Sequence, residues 1–285
     1  MIGIDTHAHV FARGLELAET RRYTLDYGVL AEDYLRQLDE NDLSHGVLVQ
    51  PSFLGTDNGF MLAARRRYPN RQRGIAVVAP DVTDVGLAEL SAAGVVGIRL
   101  NLIGRPLPDL RSASWRTLLR RVAGLGLQVE LHREARDLPG LIEPLLDAGV
   151  NVVVDHFGRP DPALGVDDPG FRHLLSMAET GRVWVKLSGA YRNGTADRSD
   201  AVARDAASLL RNAFGPRRLL WGSDWPHIHF ERVVAFRDTL ARLDAWLPNP
   251  AERAVVLGDV PAELFRIPPS RDWVRRAPSS AQTAV

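Results

Sequence analysis

Residues 5–9 read Asp5-Thr6-His7-Ala8-His9. Side chains two apart in an extended chain point to the same face, so His7 and His9 can offer two imidazoles to one spot. Imidazole binds metals well, but a mononuclear divalent centre also needs convergent partners and an open position for water. Further donors stand at the ends of other short apolar runs: His132 in VELHRE, His156 in VVVDHFGRP and Asp224 in LLWGSDWPH. Taken singly, each has an ordinary structural use. Asp224 can fix a turn before Pro226, and His132 can sit on the surface beside Arg133 and Glu134. Taken together, His7, His9, His132 and Asp224 make a shell of three imidazoles and a carboxylate, of the kind zinc or manganese accepts.

Composition narrows the chemistry. The 285 residues hold 35 basic and 35 acidic side chains, a formal net charge of zero. A balanced chain has no global attraction to nucleic acid or to an anionic membrane, so neither is expected as a partner. With no cysteine, thiolate ligands, cysteine nucleophiles and disulfides are all excluded, and any metal must rest on His, Asp or Glu. No apolar run reaches the roughly 18 residues of a membrane span, and no signal-like segment precedes the first strand. The expectation is a soluble cytoplasmic protein, monomer or homodimer.

The elements that must position these donors follow from an alternation of Val/Ile/Leu-rich runs with amphipathic stretches, the mark of βαβ units. Eight strands are expected: Ile2–Thr6, Gly46–Gln50, Ile75–Ala79, Val95–Leu100, Leu127–Leu131, Asn151–Asp155, Val183–Leu187 and Arg218–Trp221. Helices are expected between them, with stops at Gly94, Gly126, Gly149, Gly181 and Gly215. Two of the helices are read as Gly170–Glu179 and Phe230–Trp246, and the final pair as Pro250–Leu257 and Pro261–Phe265. Eight near-continuous apolar strands, each followed by a helix, describe a single-domain α/β (β/α)8 barrel over residues 1–267, with a loosely ordered tail over 268–285. A doubly wound open sheet gives a similar local pattern, but the first strand is not followed by the Gly-x-Gly-x-x-Gly phosphate loop of its nucleotide-binding form.

A barrel places its chemistry at the carboxyl ends of its strands. There the chain carries His7 and His9, Gln50 and Ser52, Arg99 and Asn101, Glu130 and His132, Asp155 and His156, Lys186 and Ser188, and Asp224. DTHAH together with VVVDHFGRP, VWVKLSG, LLWGSDWPH and LGDVPAELF resembles the amidohydrolase superfamily, in the branch of 2-pyrone-4,6-dicarboxylate lactonase and related lactone hydrolases. The likeness runs from His7 to about Phe265. It implies a distorted barrel in which Asp224 is the general base for an attacking water, while His156 lies beside the scissile carbonyl.

The same resemblance implies an anionic substrate gripped by arginines. Their counterparts here are Arg99 in GIRLN, Arg105 in IGRP, Arg159 in HFGRP and Arg192 in SGAYR, with Tyr23 and Ser52 nearby; guanidinium forks match carboxylates bidentately. One departure stands out. The metal-independent lactonase has tyrosine where this chain has His132, and His132 completes the metal shell, so one divalent ion is expected, with a metal-independent mechanism as the alternative. Glu130 is read as supporting that shell or contacting substrate. The leading function is hydrolysis of an anionic lactone: a pyrone dicarboxylate, muconolactone, sulfomuconolactone or sugar-acid lactone. The alternatives are a metal-dependent nonoxidative decarboxylase and, in another class, a catalytically silent barrel that only binds.

Overall fold

A computed structural model of the protein describes residues 3–194 and 198–268. Its eight strands form one parallel sheet in the order β1 to β8: β1 Ile4–Ala8, β2 His45–Val49, β3 Gln72–Ala76, β4 Val95–Asn101, β5 Gln128–His132, β6 Val152–Val154, β7 Val183–Ser188 and β8 Leu219–Gly222. Between and after them run α1 Ala31–Glu40, α2 Gly59–Arg67, α3 Asp84–Ala92, α4 Ala113–Gly124, α5 Leu138–Asp147, α6 Pro169–Ser176, α7 Ser199–Phe214, α8 Phe236–Trp246, α9 Pro250–Ala254 and α10 Val260–Leu264. The expected barrel is the observed one. Its seam is closed differently from its other joints: β1 meets the end of β8 through Thr6 Oγ1, which donates to Trp221 O at 2.7 Å, and meets the residues just after β8 through a bridge between Ala8 and Trp225 and through the side chain of Asp5. That buried carboxylate accepts from Ser223 N at 2.8 Å, Ser223 Oγ at 2.6 Å and Tyr34 OH at 3.0 Å.

Strand alternation sorts the core into layers. Val152 and Val154, Val183 and Val185, and Leu219 and Trp221 pack outward against the helices. Between them in sequence, Val153, Trp184 and Leu220 turn inward, where with Ile4, Val47, Val49 and Ile75 they meet Val260, Phe265 and Ile267 from the carboxyl-terminal helical run. This apolar plug fills the lower interior. The next inward residues up the strands are charged, and the site rests on them.

Several boundaries moved for physical reasons. The third strand occupies 72–76, not 75–79, because the backbone at Val77 pairs with the side chain of Asn58 (Val77 N to Oδ1 3.0 Å; Asn58 Nδ2 to Val77 O 2.8 Å) and so leaves the sheet. The helix expected from Phe230 starts at Phe236: a turn closes over Phe230–Val234 (Val234 N to Phe230 O 2.9 Å), and Ala235 is extended, with φ −109° and ψ 150°, so helical backbone begins only after it. The helix expected to run to Glu179 stops at Ser176, and a 3-10 turn over Met177–Thr180 carries the chain on to Gly181. The two closing helices form one run, with a π-helical turn over Val255–Asp259 between α9 and α10. All five glycines read as helix stops have positive φ, between 61° and 89°. Among the described residues no helix is long and apolar enough to cross a membrane; most of the tail, 269–285, lies outside them.

Candidate active site

The site is built on a bulge. The pairing of β1 with β2 slips between Asp5 and Ala8, and this change of register lets His7, three residues after the inward-facing Ile4, also point into the barrel. There it meets a charged layer formed by Arg99 on β4, Glu130 on β5, Asp155 after β6 and Lys186 on β7. Lys186 and Glu130 are both wholly buried and joined by a short hydrogen bond. Asp155 Oδ2 accepts from Arg99 Nη2 at 2.9 Å, and Asp155 Oδ1 lies 3.6 Å from Lys186 Nζ. Two cations and two carboxylates thus balance in a buried layer, which is the condition for burying any of them. Burial would raise the Asp155 carboxyl, but His7, Lys186 and Arg99 outweigh it and hold it well below the usual carboxylate range. Burial and then the neighbouring Asp155 push Glu130 up to about 7.

Above this layer three atoms converge. His7 Nε2 and His9 Nε2 lie 3.7 Å and 3.6 Å from Asp224 Oδ1. His9 Nδ1 donates to the carbonyl of Val49 at 2.7 Å. A carbonyl can only accept, so the proton sits on Nδ1 and Nε2 presents a lone pair. Burial lowers the His9 pKa and keeps the ring neutral. The other oxygen of Asp224, Oδ2, is occupied: it accepts from Tyr191 OH at 2.7 Å and from Arg192 Nε at 2.5 Å. Burial raises the Asp224 carboxyl, yet Arg192 and His156 more than cancel it and leave it well below its ordinary value. The backbone is set for this purpose. Asp224 and His156 have φ of 60° and 52°, sparsely populated values tolerated where function requires them. A Cβ on Gly189 would come within 2.8 Å of His156 Nδ1, and one on Gly222 within 2.6 Å of His7 Cβ, so neither position admits a side chain without displacing the site.

A cation suits this spot. Ligand atoms about 2.1 Å from a tetrahedral ion stand about 3.4 Å apart, close to the 3.6 and 3.7 Å found, and His7, His9 and Asp224 place their donor atoms within 4.8 Å of one another. His7, Asp155 and His156 form a second such group. His132 belongs to neither. Its Nδ1 lies 3.3 Å from Arg99 Nη2, and the same Nη2 lies 3.5 Å from His7 Nε2, so a fixed guanidinium stands between the two imidazoles. Three of the four expected ligands therefore come together, and His132 lines the cleft beside them.

The remaining expected residues divide. Arg99, Arg192, Tyr23, Ser52 and His156 line the cleft with Asp224 and His9. His156 is buried, its Nδ1 is 2.8 Å from Ser188 Oγ, and burial pushes its pKa down to about 3, so the ring is neutral at ordinary pH. Arg159 lies behind Arg192 and bonds its carbonyl oxygen. Arg105 donates to Thr20 O at 2.6 Å and stands outside the cleft. Sequence reasoning passed over Arg22, which also lines the cleft, with its guanidinium 4.9 Å from the centre of the Tyr23 ring. It was one of two adjacent arginines, and nothing in the spacing separates them. It also gave no role to Asp155 and Lys186, although a lysine inside the apolar strand VWVKLS was signal enough that something buried must pair with it. The cleft is small, with about 30 Å³ of free space at its centre, enough to hold a water. Chemically, the arrangement offers a fixed carboxylate able to take a proton from water, a neutral imidazole beside it, and guanidinium groups for an anion.

Comparison with known proteins agrees. The Amidohydrolase family model matches residues 4–267. The chain is 32% identical over 269 residues to the 4-sulfomuconolactone hydrolase of Hydrogenophaga intermedia, covering 92% of this chain and 88% of that one. It is 34% identical over 234 residues to the 2-pyrone-4,6-dicarboxylate hydrolase of Comamonas testosteroni, covering 79% and 76%. Among solved structures, the probable 2-pyrone-4,6-dicarboxylic acid hydrolase of Acinetobacter baumannii, with citric acid bound, superposes with a TM-score of 0.91 at 41% identity, covering 93% of this chain and all of that one.

Proposed function

The chain belongs to the amidohydrolase family, and on that premise we propose that it is a hydrolase opening the ring ester of an anionic lactone. The observation that carries this reading is the convergence of Asp224 Oδ1 on His7 Nε2 and His9 Nε2 at the mouth of the barrel. Support for the substrate class comes from relatives that act on 4-sulfomuconolactone and 2-pyrone-4,6-dicarboxylate, and from Arg22, Arg99 and Arg192 lining the cleft. Pyrone dicarboxylates, muconolactones and sulfomuconolactones carry the required ester and anionic group, as does a sugar-acid lactone that keeps a second, free carboxylate.

In this reading a water beside Asp224 Oδ1 adds its oxygen to the lactone carbonyl carbon and gives its proton to the carboxylate. Tyr191 and Arg192 hold Oδ2 and so aim Oδ1 at the water. His156, neutral at ordinary pH, donates Nε2–H to the developing oxyanion while Ser188 Oγ–H serves its Nδ1. The ring carbon–oxygen bond then breaks, and the proton held on Asp224 passes to the departing oxygen, giving an open-chain acid with a free hydroxyl or enol. His7, His9 and Asp224 would hold a divalent ion, zinc or manganese, which would polarise the carbonyl and acidify the water.

The deciding experiment is turnover of a lactone panel that varies charge, followed by acid release and by carbon dioxide evolution. Ring opening of carboxylated or sulfonated lactones is the expected result. Carbon dioxide release without ring opening would replace the proposal by decarboxylation. Chelation followed by dialysis should lower the rate, and zinc or manganese should restore it; full activity in metal-free protein would remove the ion from the reading. Arg22→Met should raise KM for an anionic lactone by roughly 10- to 100-fold, the worth of a hydrogen bond to a charged group, with little change for a neutral lactone. An equal rise for both would assign Arg22 to loop structure.

A further inference from the structure

His7 stands over the charged layer with both ring nitrogens engaged, and the proton count there is decidable. Around Nδ1 lie Asp155 Oδ1 and Glu130 Oε1, each at 3.4 Å, and Lys186 Nζ at 3.1 Å. Both carboxylate oxygens are buried and, among the described residues, have no hydrogen-bond partner. At Nε2 the nearest group is Arg99 Nη2, 3.5 Å away, a guanidinium that can only donate; the carboxylate oxygen Asp224 Oδ1 is farther, at 3.7 Å. A proton on Nδ1 gives an orphaned carboxylate oxygen its partner and lets Nε2 accept from Arg99. A proton on Nε2 sets it against a guanidinium N–H and leaves the oxygens unserved. Lys186 has its own acceptor in Glu130 Oε2 and a second oxygen, Asp155 Oδ1, at 3.6 Å.

We propose that Asp155 is a positioning residue that fixes the tautomer of His7: Oδ1 accepts the proton on Nδ1, Arg99 anchors Oδ2, and His7 therefore presents the lone pair of Nε2 to the site. Lys186 supplies the balancing charge that lets Asp155 and Glu130 stay buried beside one another. His9 reaches the same state through the carbonyl of Val49. Both imidazoles then face Asp224 as acceptors, ready for a water proton or a cation. A partner that orients a ligating or catalytic imidazole typically changes activity or affinity by about 10- to 100-fold.

The substitution Asp155→Asn tests this by geometry. Arg99 needs an acceptor, so the amide oxygen stays with Arg99 and the amide N–H₂ turns to Nδ1 of His7. The ring must then accept at Nδ1 and carry its proton on Nε2. The measurement is the long-range nitrogen–proton spectrum of histidine-labelled protein, with the His7 signals assigned by their loss in His7→Gln. The parent should show the Nδ1–H pattern, and Asp155→Asn the Nε2–H pattern, with kcat reduced about 10- to 100-fold and KM near the parent value. Should Asp155→Asn fail to fold, the pair Asp155→Asn with Lys186→Met removes one charge of each sign and should give the same spectrum. An Nε2–H pattern in the parent would overturn the proposal, since Lys186 would then be donating to Nδ1. So would an Nδ1–H pattern that survives in both variants. The kinetic arm rests on the hydrolase reading; the spectral arm does not, so a protein that opens no lactone but shows the expected tautomers would fail the first reading and keep this one.

Discussion

Asp224→Asn lowers kcat by roughly a thousandfold while leaving KM and the melting temperature near those of the parent. The loss follows from the proton: an amide cannot take one from water, and positioned general bases are worth about 10²- to 10⁴-fold. The amide keeps the hydrogen bonds of Oδ2, and Arg192, which loses its opposite charge, borders the cleft and is not fully buried. The amide oxygen takes the place of Oδ2, accepting from Tyr191 OH and Arg192 Nε. Its N–H₂ then faces His7 Nε2 and His9 Nε2, the two acceptors that had faced Oδ1. Steady-state kinetics on the best lactone of the panel, with a thermal melt alongside, measures both halves. Retained turnover would show that water is activated elsewhere. A large fall in melting temperature would show that the site depended on the charge of Asp224 for its folding.

Arg99→Met has the largest effect on stability, about 3 to 5 kcal/mol, because it breaks a buried ion pair from one side only. Arg99 is 3% exposed and holds Asp155 at 2.9 Å, and its Nε lies 3.5 Å from Glu130 Oε1. Without it, two buried carboxylates share the single ammonium of Lys186. For a chain of this size such a loss is roughly 10 °C in melting temperature. Adding Asp155→Asn to Arg99→Met removes the uncompensated anion and should recover much of it. Arg99 also lines the cleft, so KM for an anionic lactone should rise as well. If KM rises and the melting temperature does not move, Arg99 belongs to the substrate and the layer beneath stands without it.

Much of this was legible in one dimension. Period and punctuation identified the barrel because a strand buried on both faces is near-continuously apolar, and because a helix that ends on a left-handed residue selects glycine. Polar residues at the ends of such strands pointed to one rim, and His7, His9 and Asp224 do meet there. What one dimension hid was sidedness. Arg99 and His132 both face inward, but only their distance shows that the guanidinium stands beside His132 and His7. Arg105 and Arg192 looked alike in sequence, yet one bonds a backbone carbonyl outside the cleft and the other braces Asp224.

The chain by itself determined the fold class, the rim at which polar groups gather and the types of group available there, because those depend on local periodicity and on which side chains can hold a charge or a metal. The tertiary structure decided which of them stand within reach of one another. The slip in β1 that turns His7 inward, the burial that keeps His9 and His156 neutral, and the pairing of Asp155 with Arg99 all arise between segments far apart in sequence. Electrostatics falls off with distance in space and strengthens as water is excluded, and neither quantity is written along the chain.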